Sequence, residues 1–152
     1  MKKIAIFPGT FDPITIGHVS VIERALNVFD EIVIAIGVNR NKKTFFPLEK
    51  RVEMIASLFE DNNKVRVGSY SGLTVDFARA QGARFILRGI RSVNDFEYEK
   101  NIADVNRQIS DIDTFILFTE PEHAHVSSSI VRELLSYGKD VAPFVPQKLK
   151  IQ

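Results

Sequence analysis

Residues 4–18 read IAIFPGTFDPITIGH. The apolar run at 4–7 empties into glycine, threonine and proline, and a histidine arrives just before Val19, Ile22, Leu26 and Phe29 set up a helical period. The run lacks the polar alternation of a half-exposed strand, so it reads as a buried strand feeding a helix. The same unit recurs. Residues 31–38, 64–70, 84–90 and 114–119 are further runs rich in Ile, Val and Phe, each read as a buried strand. Between them Leu48, Val52, Ile55 and Phe59 fall on one helical face, as do Tyr98, Ile102, Val105 and Ile109. A shorter helix at 73–81 stops at Gly82, and a last one at 128–137 stops at Gly138. Strands alternating with helices predict an α/β fold. The expectation is a single domain, residues 1–152, with a Rossmann-like five-stranded parallel sheet and helices on both faces.

Composition narrows the function. Twenty Lys and Arg against 19 Asp and Glu leave a net charge of +1, which gives no general attraction to nucleic acid or to an anionic membrane. There is no cysteine, so disulfides and thiolate chemistry are excluded. Met1-Lys2-Lys3 leads into too few apolar residues for a signal-peptide core, and no run approaches the roughly 20 residues of a membrane span. A cytoplasmic protein is expected, with neither nucleic acid nor membrane as partner.

In parallel sheets, ligands bind beyond the carboxyl ends of the strands. After the first run, Gly9 lets backbone approach a ligand, Thr10 offers a hydroxyl, and His18 enters the first helical turn, where free amides favour an anion. Thr10 as a turn residue and His18 on a helix surface is the alternative. After the second run, Arg40, Lys42 and Lys43 cluster, as a site or as a solvated loop. The fourth run ends in LRGIRS, where Arg88 is costly to bury without a partner. That partner is either a phosphate or an internal carboxylate such as Glu99. After the fifth run, Ser127, Ser128 and Ser129 precede a helix; one serine suffices for a cap, and three make a row of donors suited to polyphosphate. His123 and His125 lack a third ligand, so no transition-metal site is expected. Nor is there a GxxxxGK[ST] loop or a Ser/His/Asp triad. The pattern is that of a protein handling phosphate without a P-loop.

TIGH at 15–18 and VSSSIVR at 126–132 resemble the T/HxGH and ISSSxxR-type motifs of a nucleotidyltransferase superfamily. Within it, FPGTFDPITIGH, the NKK loop at 41–43, LRGIRSVNDFEYE at 87–99 and VSSSIVRELL match the bacterial phosphopantetheine adenylyltransferases in order and spacing. The resemblance implies reversible adenylyl transfer from ATP to 4′-phosphopantetheine with Mg²⁺, giving dephospho-CoA and pyrophosphate in coenzyme A biosynthesis, and a homohexamer. It implies that Thr10, Phe11, His18, Gly89, Ile90, Arg91, Glu99, His123, Ala124, His125, Val126, Ser127, Ser128 and Ser129 contact ATP. Thr10, Lys42, Thr74 and Arg88 would contact phosphopantetheine. His18, Lys42 and Arg91 would be catalytic, and no side chain would bind the metal, which the phosphates would mainly hold.

The chemistry suits these residues independently. An acceptor phosphate is already ionised, so no general base is required. Alignment and charge stabilisation are. Two rival readings remain: a related nucleotidyltransferase with another phosphate acceptor, and a non-catalytic module sensing ATP or CoA.

Overall fold

The computed structural model describes residues 1–151. Its strands β1 (Ile4–Gly9), β2 (Glu31–Gly37), β3 (Val65–Tyr70), β4 (Phe85–Ile90) and β5 (Asp113–Phe118) form one sheet in the order β3-β2-β1-β4-β5. Every pairing is parallel; β1 runs beside β2 from Ile4 opposite Glu31 to Gly9 opposite Ile36. Helices α1 (Ile16–Ala25), α2 (Leu48–Leu58), α3 (Thr74–Ala80), α4 (Val93–Ile109) and α5 (Ser128–Ser136) make the crossovers and the closing segment.

Alternation along the strands feeds two cores. Ala5, Phe7, Ile32, Ile34, Ile36 and Leu87 pack with Val21, Ile22 and Ala25 of α1 and Ile55 of α2. Ile6, Val33, Ala35 and Ile86 face the other way, against Val75 and Ala78 of α3. Both faces of the central strands are therefore covered, which is why their sequences carry no polar alternation. A smaller cluster joins Val131 of α5 to Val141 and Val145. Gly82 and Gly138 take φ of +74° and +70° at the ends of α3 and α5, the left-handed exit a glycine permits at least cost.

Two expectations need correction. Runs 64–70 and 114–119 were expected to be buried, but β3 and β5 are the sheet's edges, each with one partner strand. Arg66 and Ser69 are exposed, and Phe118 is 74% exposed. Secondly, the stripe Tyr98, Ile102, Val105 and Ile109 does lie on a helix, yet its members are 65%, 38%, 56% and 52% exposed. The buried residue of α4 is Glu99. Helical period reveals a face; it does not say what covers it. Among the described residues no helix is long and apolar enough to cross a membrane.

Candidate functional site

Two cavities of about 360 Å³ each open at the carboxyl edge of the sheet, over β1 and β4, where the chain's crossovers diverge. One is lined by Phe7 and Val21 and so belongs to the α1 side; the other is lined by Ile86 and Thr74 and belongs to the α3 side. They share Pro8, Gly9, Thr10, Lys42, Arg88 and Glu99. The two cavities thus approach one ridge from opposite faces of the sheet and meet there.

His18 is placed by the start of α1. Thr15 is the N-cap, its hydroxyl accepting from the His18 amide at 3.4 Å, while the Thr15 amide donates to His18 Nδ1 at 3.0 Å. This is a capping box in which histidine stands where Glu or Gln is usual. The bond consumes Nδ1 as an acceptor, so the proton sits on Nε2. Burial first, then the Arg88 and Arg91 charges, lower the His18 pKa to about 4, and the ring is neutral at pH 7. Phe11 holds it from the side, ring centroids 4.9 Å apart. Phe11 has φ of +50°, a strained value for a residue with a Cβ, and its ring folds back over Gly9. A Cβ at Gly9 would lie 3.0 Å from that ring, so the glycine is what makes room.

Arg88 and Glu99, expected on different substrates, are joined. Arg88 Nη2 and Nε both donate to Glu99 Oε2, at 2.7 and 2.9 Å, and Nη1 donates to the Pro8 carbonyl. The internal partner that the sequence allowed for Arg88 is therefore present, while the guanidinium still lines both cavities. Packing beside it is tight at Gly89, where a Cβ would meet Val21 Cγ2 at 3.1 Å. Arg91 lies at the cavity wall with Asp95, whose carboxylate accepts from the Arg91 amide at 3.0 Å and pairs with Nε at 3.5 Å. Of the cluster Arg40, Lys42 and Lys43, only Lys42 lines the cavities, its Nζ 3.5 Å from Thr10 Oγ1.

The three serines divide their work. Ser127 is the N-cap of α5 and accepts from the Ile130 amide at 3.2 Å. Ser128 donates to the Pro13 carbonyl at 2.7 Å, tying α5 to the loop after β1. Ser129 Oγ accepts from Arg132 Nη2 at 3.2 Å. The Ser128 and Ser129 amides, first in the helix, have no intrahelical partner, and both residues line this cavity. An anion fits there.

Val126 also lines this cavity, but Ile90, His123, Ala124 and His125 do not. Ile90 is buried, its carbonyl accepting from the Thr119 amide, and His125 rests edge-on against Phe144. Thr74 lines the second cavity and is hydrogen-bonded to Tyr70 Oη at 2.8 Å. Sequence reasoning gave no role to Arg132, the last residue of the VSSSIVR motif, and missed Asp95 in the first cavity, and Tyr98, Ile102 and Asn106 in the second. Arg132 stands one turn beyond Ser129 on the same helical face, a spacing that could have given it a role beside the serines. Among the described residues no three His, Cys, Asp or Glu side chains converge on a metal position.

The sequence model of the cytidylyltransferase-like family matches residues 6–134. Curated relatives agree along almost the whole chain. A phosphopantetheine adenylyltransferase of Phocaeicola vulgatus is 64% identical over 147 residues, 97% of either chain. One of Bacteroides thetaiotaomicron is 60% identical over 151 residues, 99% of either chain. One of Porphyromonas gingivalis is 50% identical over 146 residues, covering 96% of this chain and 95% of its own.

Proposed function

We propose, for a chain that belongs to the phosphopantetheine adenylyltransferase family within the cytidylyltransferase-like proteins, that the two joined cavities hold its two substrates. As a member it is a nucleotidyltransferase of coenzyme A biosynthesis. ATP lies in the cavity of His18, Arg91 and the α5 N-terminus, and 4′-phosphopantetheine in the cavity walled by α4. The observation that carries this is the shared ridge: in-line transfer needs two ligands to meet at one point, and Thr10, Lys42 and Arg88 stand where the cavities join.

A phosphate oxygen of the acceptor attacks the α-phosphorus of ATP, forming the new P–O bond. The bond to the β-phosphate's bridging oxygen breaks and pyrophosphate leaves with its electron pair. No proton need move, and the side chains fit that need. Neutral His18 donates Nε2–H to the α-phosphate without giving the proton up. Lys42 reaches the ridge and places its charge between the reacting phosphates. Arg91, Arg132 and the open Ser128 and Ser129 amides lie where negative charge gathers on the leaving group. Mg²⁺ brought in on the triphosphate would screen its oxygens. The cavity carboxylates, Asp95 and Glu99, are already committed to Arg91 and Arg88, which suits an ion held chiefly by phosphate and water.

The exposed stripe on α4, continued by Val93 and Phe96, supports self-association, and a homohexamer is the assembly we assign. The use of ATP supports a cytoplasmic location. Pyrophosphate release tests the reading. Phosphopantetheine with ATP should outrun nicotinamide mononucleotide or other phosphate acceptors, and ATP should outrun CTP. Faster release with another acceptor refutes the acceptor assigned, and tight ATP binding with no release refutes catalysis.

A further inference from the structure

The segment that carries Lys42, residues 38–47, contains neither helix nor strand, and Lys42 is exposed. A flexible four-carbon stem on an irregular loop is a poor way to place a charge, unless the loop itself is fixed. Two buried ionic side chains fix it. Asp12, 3% exposed, accepts from the Phe45 amide at 2.7 Å with one carboxylate oxygen and from the Phe46 amide at 2.8 Å with the other. Arg51, 4% exposed, donates from Nε to the Phe46 carbonyl at 3.1 Å and from Nη1 to the Thr10 carbonyl at 2.8 Å. Neither lines either cavity. The Asp12 carbonyl in turn accepts from Arg132 Nη1 at 2.9 Å, which brings the start of α5 to the same residue.

Burying a carboxylate and a guanidinium is costly, and water would satisfy loop amides at no such cost. What the buried groups add is position: they lock the end of the Lys42 loop to the Thr10 turn, the two segments that must meet at the ridge. We propose that Asp12 and Arg51 are positioning residues that act through Lys42. The proposal rests on the role given to Lys42 above.

The test is a double-mutant cycle. Asp12→Asn keeps the volume but sets an NH₂ against one of two N–H donors. It should lower kcat by about 10-fold or more while the KM for ATP stays within about 2-fold. Amide exchange at Phe45 and Phe46 should quicken while β1 and β2 stay protected. Asp12→Asn with Lys42→Ala should be no slower than Lys42→Ala alone, since a lysine already lost cannot be misplaced. Losses that multiply, or a kcat within about 2-fold of the parent for Asp12→Asn, overturn the positioning role and leave the role of Lys42 standing. Full turnover by Lys42→Ala alone overturns both. Should Asp12→Asn not fold, Arg51→Lys, which keeps the charge but holds one carbonyl instead of two, enters the same cycle with the same outcomes.

Discussion

Acidification should act on this fold through His18, and the size of the effect can be worked out. The folded ring has a pKa lowered to about 4 by burial and by the Arg88 and Arg91 charges, against 6.5 when unfolded. Between those values the unfolded chain binds the proton that the folded chain refuses. Stability therefore rises with pH through this window: the contribution is complete above pH 6.5 and is lost as pH falls toward 4. A difference of about 2.5 units is worth roughly 3.4 kcal/mol at most, and about 2.5 kcal/mol of it is gone by pH 4.5. Urea unfolding at pH 7.5 and 4.5 measures the loss. Carboxylates add a background, so the comparison is with His18→Gln, whose curve should be flatter by about 2.5 kcal/mol. An NMR titration should find the His18 ring still neutral at pH 6, and no His18 ionisation should appear in kcat/KM between pH 6 and 8. A ring that titrates near 6.5, or identical pH slopes in parent and variant, refutes the neutral donor drawn here.

Arg88→Ala should strand a carboxylate that is 8% exposed, at a cost of about 2–4 kcal/mol. That should lower Tm by roughly 5–15 °C in calorimetry, and an unchanged Tm means the pair is idle. Adding Glu99→Gln should recover part of the Tm but not acceptor use, if Arg88 also serves the acceptor phosphate. Ser127→Ala should cost about 1 kcal/mol as a lost N-cap, read by thermal melting, whereas Ser129→Asp should leave the melt intact and weaken ATP binding by 10-fold or more in calorimetry. Stable Ser129→Asp protein that binds ATP normally would place the triphosphate elsewhere. Val105→Lys on the exposed stripe of α4 should reduce the assembly to smaller species in sedimentation, and an unchanged mass would show that this face is not the interface.

The alternation of strands and helices was legible because both cores demand apolar residues at fixed periods. Much of the ridge was legible too, since Gly9 and Arg88 lie near the carboxyl ends of β1 and β4, and Thr10 and Lys42 follow β1 and β2. What escaped was whatever depends on distant segments meeting. Arg88 offered two partners in sequence, and only the packing of α4 on β4 shows Glu99 in place. Asp12 and Arg51 carried no signal, because each meets its partners only through the folded loops. The α4 stripe read like any other helical face, although the described residues leave Tyr98, Val105 and Ile109 more than half exposed.

The ridge between the cavities has a consequence for traffic. With the two substrates placed as proposed, each would enter from its own face of the sheet, so neither would block the other's path, and either order of arrival would be geometrically open. The product is different. On the proposed placement, dephospho-CoA would bend over Pro8, Gly9 and Thr10, which line both cavities, with an arm on each side, whereas pyrophosphate would lie wholly on one. The smaller product would then depart by a single mouth, while the larger would have to draw one arm across the ridge, past Lys42, before it is free.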